Sequence, residues 1–125
     1  MLVRRGVRTE STAQAYLRPR LAHLMDPAPM ADFTRTVTRI ADAVERSERI
    51  GVFGDYDVDG ITATAVIAET LTGSGLTPEL RVASRDNGYG LTPKDVEAYS
   101  QVGCRLVVAC DVGSSDHAAM DAAAG

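Results

Sequence analysis

The sequence predicts an α/β fold: a parallel, doubly wound sheet of about three strands, behind an N-terminal helical segment. Three observations point to this class. Short apolar runs at 50–53, 80–83 and 105–110 alternate with stretches of helical periodicity. Alternation of strand and helix is the pattern of parallel strands joined by crossover helices. Gly, Pro and cap residues mark each change of period. The chain has 125 residues, enough for one domain with a modest core. Within it, residues 1–49 read as an arm with helices and 50–125 as a sheet-bearing part cut off after its third strand.

Taken in order, residues 11–24 have the pattern of a helix interrupted by Pro19. Asp26-Pro27-Ala28-Pro29 is a stiff connector. Over 33–48, Phe33, Val37, Ile40, Ala41 and Val44 recur at helical spacing, with Asp32 as N-cap. The run 50–53 is a buried strand. Residues 61–71 are apolar and rich in Ala and Thr, hence helical, closed by Gly73 or Gly75. A short strand follows at 80–83. Thr92-Pro93-Lys94-Asp95 sets a cap residue before a proline at the first helical position. The third strand covers 105–110, and Ser114 or Ser115 caps a last helix running to Ala124.

Composition excludes several classes. Hydrophobic residues make up 45% and charged residues 24%, which is globular rather than disordered. No apolar run reaches the ~18 residues of a membrane span, and no secretory signal opens the chain. A cytoplasmic protein is expected. Cys104 and Cys110 are spaced to point the same way on one strand, too far apart to bridge; they are expected to be buried free thiols in a reducing compartment. Net charge is −4, but residues 1–25 carry five Arg against Glu10 alone. Arg suits phosphate contacts, although a solvated helix face explains the same charges.

The chemistry concentrates in Gly54-Asp55-Tyr56-Asp57-Val58-Asp59-Gly60, directly after the first strand. If the backbone stays extended, Asp55, Asp57 and Asp59 project to one side. Three carboxylates that close repel unless a cation compensates them. Asp111 follows the third strand as the Asp triplet follows the first. Ligands of open parallel sheets bind beyond the carboxyl ends of the strands, so both acidic sites belong to one edge. The loop after the second strand brings Arg85, Gly88, Tyr89 and Gly90 to the same edge, the ingredients for approach to a phosphate. Carboxylate-only ligation favours Mg²⁺ or Mn²⁺. Such ions polarise phosphoryl oxygens and activate water, so metal-assisted phosphodiester hydrolysis is the expected reaction class.

Two rival motifs fit less well. An EF-hand loop opening at Asp55 needs Glu at its twelfth position, which is Val66, and a helix before it. Asp57-Val58-Asp59-Gly60-Ile61-Thr62 resembles the signature of haloacid-dehalogenase-type phosphatases, but there the first Asp directly ends the strand. His23 and His117 read as ordinary histidines.

The first motif, followed by Ile61-Thr62-Ala63-Thr64, resembles that of the RecJ branch of the DHH phosphoesterases. Arg4-Arg5-Gly6, Ala15-Tyr16-Leu17-Arg18-Pro19 and Leu24-Met25-Asp26-Pro27 resemble the start of those proteins. Arg85 with Gly88-Tyr89-Gly90-Leu91 is similar to their arginine and glycine-tyrosine segment. Val107-Val108-Ala109-Cys110-Asp111-Val112-Gly113 resembles their second motif.

The resemblance implies a sheet of the DHH phosphoesterase type. It also implies a single-stranded-DNA-specific 5′→3′ exonuclease, acting in DNA repair and recombination on two Mn²⁺ or Mg²⁺ ions, with repair proteins as possible partners. Asp57, Asp59 and Asp111 would be metal ligands serving catalysis, and Asp55 a further ligand or a supporting group. Arg85 would contact DNA phosphate, Gly88 and Gly90 would allow close approach, and Tyr89 would stack on a base or pack under its loop. The Asp-His-His motif that names the family is expected on a strand after Gly125. A truncated, inactive chain that at most binds metal or DNA weakly is the competing expectation. Another DHH activity, on short oligonucleotides or cyclic dinucleotides, is a third.

Overall fold

The computed structural model describes residues 2–85 and 88–124, and the chain divides into two compact units, 1–36 and 37–125. Asp86 and Asn87, in the loop after the second strand, lie outside the described residues.

The first unit holds a 3₁₀ turn at Leu2–Arg5, helix α1 (Glu10–Leu17), a 3₁₀ turn at Leu21–His23 and the start of α2 (Phe33–Glu45). Thr9 and Thr12 cap α1 reciprocally. The helix stops at Leu17 instead of continuing past Pro19. Proline disfavours helical geometry in the residue before it, and Arg18 sits at φ −133°, ψ 69°. Arg5 donates to the Tyr16 hydroxyl at 2.7 Å, so part of the basic cluster is engaged within this unit.

The second unit contains the rest of α2, then β1 (Ile50–Gly54), α3 (Val58–Gly73), β2 (Glu79–Val82), α4 (Pro93–Gln101), β3 (Leu106–Cys110) and α5 (His117–Ala124). The three strands are parallel in the order β2-β1-β3. Ile40, Ala43 and Val44 of α2 and Ala63, Ile67 and Leu71 of α3 pack with Ile50, Val52 and Cys110. Val96 and Tyr99 of α4 and Ala119 of α5 pack with Phe53 and Leu91. Successive β1 side chains point to opposite faces, so these are the two faces of a doubly wound sheet and β1 is buried throughout. The Tyr99 ring occupies the space that Gly51 leaves, where a Cβ would stand 2.5 Å from it. Its hydroxyl donates to the Val52 carbonyl at 2.8 Å.

Four local expectations are corrected. Helix α3 starts at Val58, three residues early, because the Asp57 side chain caps it by accepting from the Gly60 N–H at 2.9 Å. Asp32 has φ 56°, so it enters α2 through a left-handed turn rather than an extended cap. Asp116, not Ser114 or Ser115, immediately precedes α5, and its carbonyl accepts from Ala119 and Met120. Cys104 lies before β3, only half-buried, and packs on the α4 side, while the buried Cys110 packs on the α2 side, so the two free thiols face away from each other across the sheet. The Thr92–Asp95 capping box of α4 forms as expected.

Candidate metal centre

The sheet register builds the site. Gly54 pairs with Cys110, so Asp55 and Asp111 are the next residues on neighbouring strands and leave the sheet at one level. Parallel neighbours lie about 4.8 Å apart, which brings their carboxylates within reach of a common ion. Asp57 joins them by ending the loop that starts α3. One carboxylate oxygen from each of Asp55, Asp57 and Asp111 lies within 4.8 Å of the other two. Asp59, in the first turn of α3, is not in that group. It lines a groove with Thr62, Ala63, Val66 and the Val108–Cys110 end of β3. The extended triplet is therefore replaced by a loop and a helix start, and Asp111 takes the place nearest to the other two.

Close backbone approach makes this possible. A Cβ on Gly60 would stand 2.5 Å from the Asp55 backbone N and O. One on Gly54 would collide with the Thr64 hydroxyl, which itself donates to the Gly60 carbonyl at 2.8 Å. Only with both glycines does the first turn of α3 pack onto the end of β1.

The donor set fits a hard divalent cation. Asp55 is 3% exposed, and its Oδ1 is buried without a hydrogen-bond partner. A buried carboxylate oxygen left in that state is costly unless a cation meets it. Asp57 and Asp111 are exposed, which leaves one side of the cluster open to solvent. Asp111 has φ 61°, a conformation that costs a residue other than glycine free energy unless its surroundings hold it. Desolvation, then the charges of Asp57, Asp59 and Asp55, raise its carboxyl above the ordinary value of 3.8.

A pH dependence follows. A raised folded-state value means that the folded chain binds the proton more tightly than the unfolded chain. Without metal, this contribution to stability is present below pH 3.8 and is lost as pH rises through the raised value. Mn²⁺ offsets the repulsion only where the cluster is ionised. Thermal melts should therefore show a Mn²⁺-dependent rise in Tm at pH 7 that disappears at about pH 3.5. An equal rise at both values would contradict this origin.

The remaining site residues frame the cluster. The Arg85 guanidinium lies 5.3 Å from the centre of the Tyr56 ring, which ties the loop after β2 to the loop after β1. Tyr89 is 63% exposed and donates its hydroxyl to the Asp111 carbonyl at 2.9 Å, so the ring stands out from its loop rather than packing beneath it. Desolvation and then the charges of Asp111, Asp55, Asp116 and Asp57 raise its phenol above 10.0. Gly88 has φ 88°, and among the described residues nothing beyond its chain neighbours lies within 4 Å of an added Cβ, whereas Gly90 has φ 95° and faces the Asp116 carboxylate. The sequence assigned no role to Asp116, which accepts from the Leu91 and Gly113 N–H groups, or to Tyr56, which holds Arg85. The only signal for Asp116 was its place directly before the apolar stretch of α5.

A parallel sheet that gathers carboxylates from two strand ends around one exposed point is a site of the kind that holds Mg²⁺ or Mn²⁺. No family model matches the chain. Over 114 residues it is 31% identical to the single-stranded-DNA-specific exonuclease RecJ of Bacillus subtilis, covering 90% of the chain and 14% of the relative. Over 123 residues it is 33% identical to RecJ of Dickeya dadantii, covering 97% of the chain and 21% of the relative. The solved structure of an exonuclease RecJ bound to manganese matches with TM-score 0.70 and 26% identity, over 78% of this chain and 25% of that one. RecJ of Thermus thermophilus in complex with Mn²⁺ matches with TM-score 0.65 and 25% identity, over 85% and 14%. In sequence and fold together the chain resembles the N-terminal part of RecJ exonucleases. It spans 14–21% of the length of the two curated relatives.

Proposed function

We propose that the protein carrying this segment is a metal-dependent, single-stranded-DNA-specific 5′→3′ exonuclease of the cytoplasm, working in DNA repair and recombination. The observation that carries the proposal is the convergence of Asp55, Asp57 and Asp111, with one oxygen of Asp55 buried and unpaired. These three carboxylates would hold Mn²⁺ or Mg²⁺. When bound, such an ion supplies charge stabilisation at a phosphoryl oxygen and lowers the pKa of water. Asp59 adds negative charge at the same edge and stands apart from this first ion; if a second ion binds, Asp59 is its candidate ligand. Arg85, held against Tyr56, would meet a DNA phosphate. Tyr89 would offer an exposed ring to a base while its hydroxyl stays anchored. Gly88, where no described residue beyond its chain neighbours lies within 4 Å of an added Cβ, would let the strand approach the backbone.

One observation favours a narrower role for the 125 residues alone. Among the described residues the cluster gathers three carboxylates, and neither His23 nor His117 belongs to it. We infer metal binding without turnover for the isolated chain. The test is hydrolysis of end-labelled DNA in Mn²⁺ by the full-length protein. Single strands should be degraded from the 5′ end, duplexes and dinucleotides spared, and Asp57→Asn should slow the reaction at least ~100-fold. Near-normal turnover by the variant, or preference for dinucleotides, would contradict the assignment.

A further inference from the structure

We propose that Asp116, together with Tyr89, forms a clamp that positions Asp111, and that Asp116 acts through its hydrogen bonds rather than as a metal ligand. The inference rests on the metal-site reading above. Asp111 carries a left-handed backbone, φ 61°, directly after the end of β3. Something must hold that conformation for its carboxylate to meet those of Asp55 and Asp57. Two ties do so. The Tyr89 hydroxyl donates to the Asp111 carbonyl at 2.9 Å. One oxygen of Asp116, Oδ2, accepts from the Leu91 N–H at 2.7 Å and from the Gly113 N–H at 3.1 Å. A single carboxylate oxygen thus joins the loop after β2 to the loop after β3, two residues beyond Asp111.

The anchor is itself fixed. The Asp116 carbonyl accepts from Ala119 and Met120 at the start of α5, and Ala119 is buried in the core. Gly90 admits the carboxylate: with φ 95°, its missing Cβ would stand 2.7 Å from Asp116 Oδ1. Asp116 is outside the trio whose oxygens converge. Groups that orient metal ligands commonly matter 10–100-fold in affinity.

The experiment uses the 125-residue chain. Mn²⁺ uptake is followed by loss of the free-ion electron paramagnetic resonance signal, and amide hydrogen exchange is measured without metal. Asp116→Ala should weaken Mn²⁺ binding about 10-fold or more and unprotect the Leu91 and Gly113 amides, with β1 amides unchanged. Asp116→Asn keeps an acceptor oxygen and drops the charge, so it should restore affinity to within about threefold of wild type and keep both amides protected. Tyr89→Phe removes the other tie and should weaken binding about threefold or more, a readout that stands even if Asp116→Ala fails to fold. Wild-type affinity in Tyr89→Phe or Asp116→Ala would overturn the clamp. Equal losses in Asp116→Asn and Asp116→Ala would overturn it too, in favour of a charge or ligand role. A wild-type chain that takes up no Mn²⁺ while both amides are protected would contradict the metal site itself; unprotected amides in the wild type would contradict the clamp.

Discussion

Asp55→Asn is expected to raise the metal-free melting temperature and, in the same protein, to weaken Mn²⁺ binding at least ~100-fold. Both effects come from one fact: a 3% exposed carboxylate with an unpaired oxygen stands beside two more carboxylates. Without metal, removing that charge relieves repulsion and the burial of an uncompensated ion. With metal, the same change deletes the most enclosed ligand. A bound ion stabilises the folded chain by about 2.7 kcal/mol at one hundred times its Kd, and that increment should vanish in the variant. Opposite signs distinguish a lost site from a damaged fold. A variant that melts below wild type without metal, or that still gains Tm with Mn²⁺, would contradict the account.

Gly60→Val should have the largest effect on the fold. Its Cβ would stand 2.5 Å from the Asp55 backbone N and O, where backbone cannot yield as a flexible side chain can. Overpacking of this kind costs about 3 kcal/mol, a large share of the stability of a domain this size. It would also push α3 off the end of β1 and carry Asp57 away from Asp55 and Asp111, so metal uptake should be lost with the cooperative melt. Gly73→Ala is the matched control, because among the described residues nothing outside its own helical turn lies within 4 Å of a Cβ there. It should stabilise by about 0.5 kcal/mol, since alanine loses less chain entropy in a helix. Urea melts of the three proteins compare these directly. Equal stability of Gly60→Val and wild type would mean that the close approach of α3 to β1 is not needed.

Much of the architecture was legible because periodicity reports burial. Val52 and Phe53 are apolar in succession because β1 is covered on both faces, and Ile40 and Val44 recur because α2 presents one face to the sheet. The placement of Asp55 and Asp111 on one edge was legible too, since both directly follow strands of one parallel sheet. The exact trio was not. Whether the backbone stays extended after Gly54 depends on a cap, and Asp57 serves α3 in that role while it faces the cluster. That dual use turns Asp59 onto the helix and leaves Asp111 as the third member. The cysteines were misplaced for a similar reason: β3 begins at Leu106, so strand alternation does not extend back to Cys104. Asp116 left little trace in the sequence because its partners, Leu91 and Gly113, are backbone N–H groups that any residue but proline supplies.

The most direct test of the metal centre is the anomalous difference density of crystals of this chain grown with Mn²⁺. One strong peak is expected beyond the carboxyl ends of β1 and β3, about 2.1 Å from oxygens of Asp55, Asp57 and Asp111. A peak held by Asp57 and Asp59 without Asp55 and Asp111, or no peak at that edge, would contradict this placement.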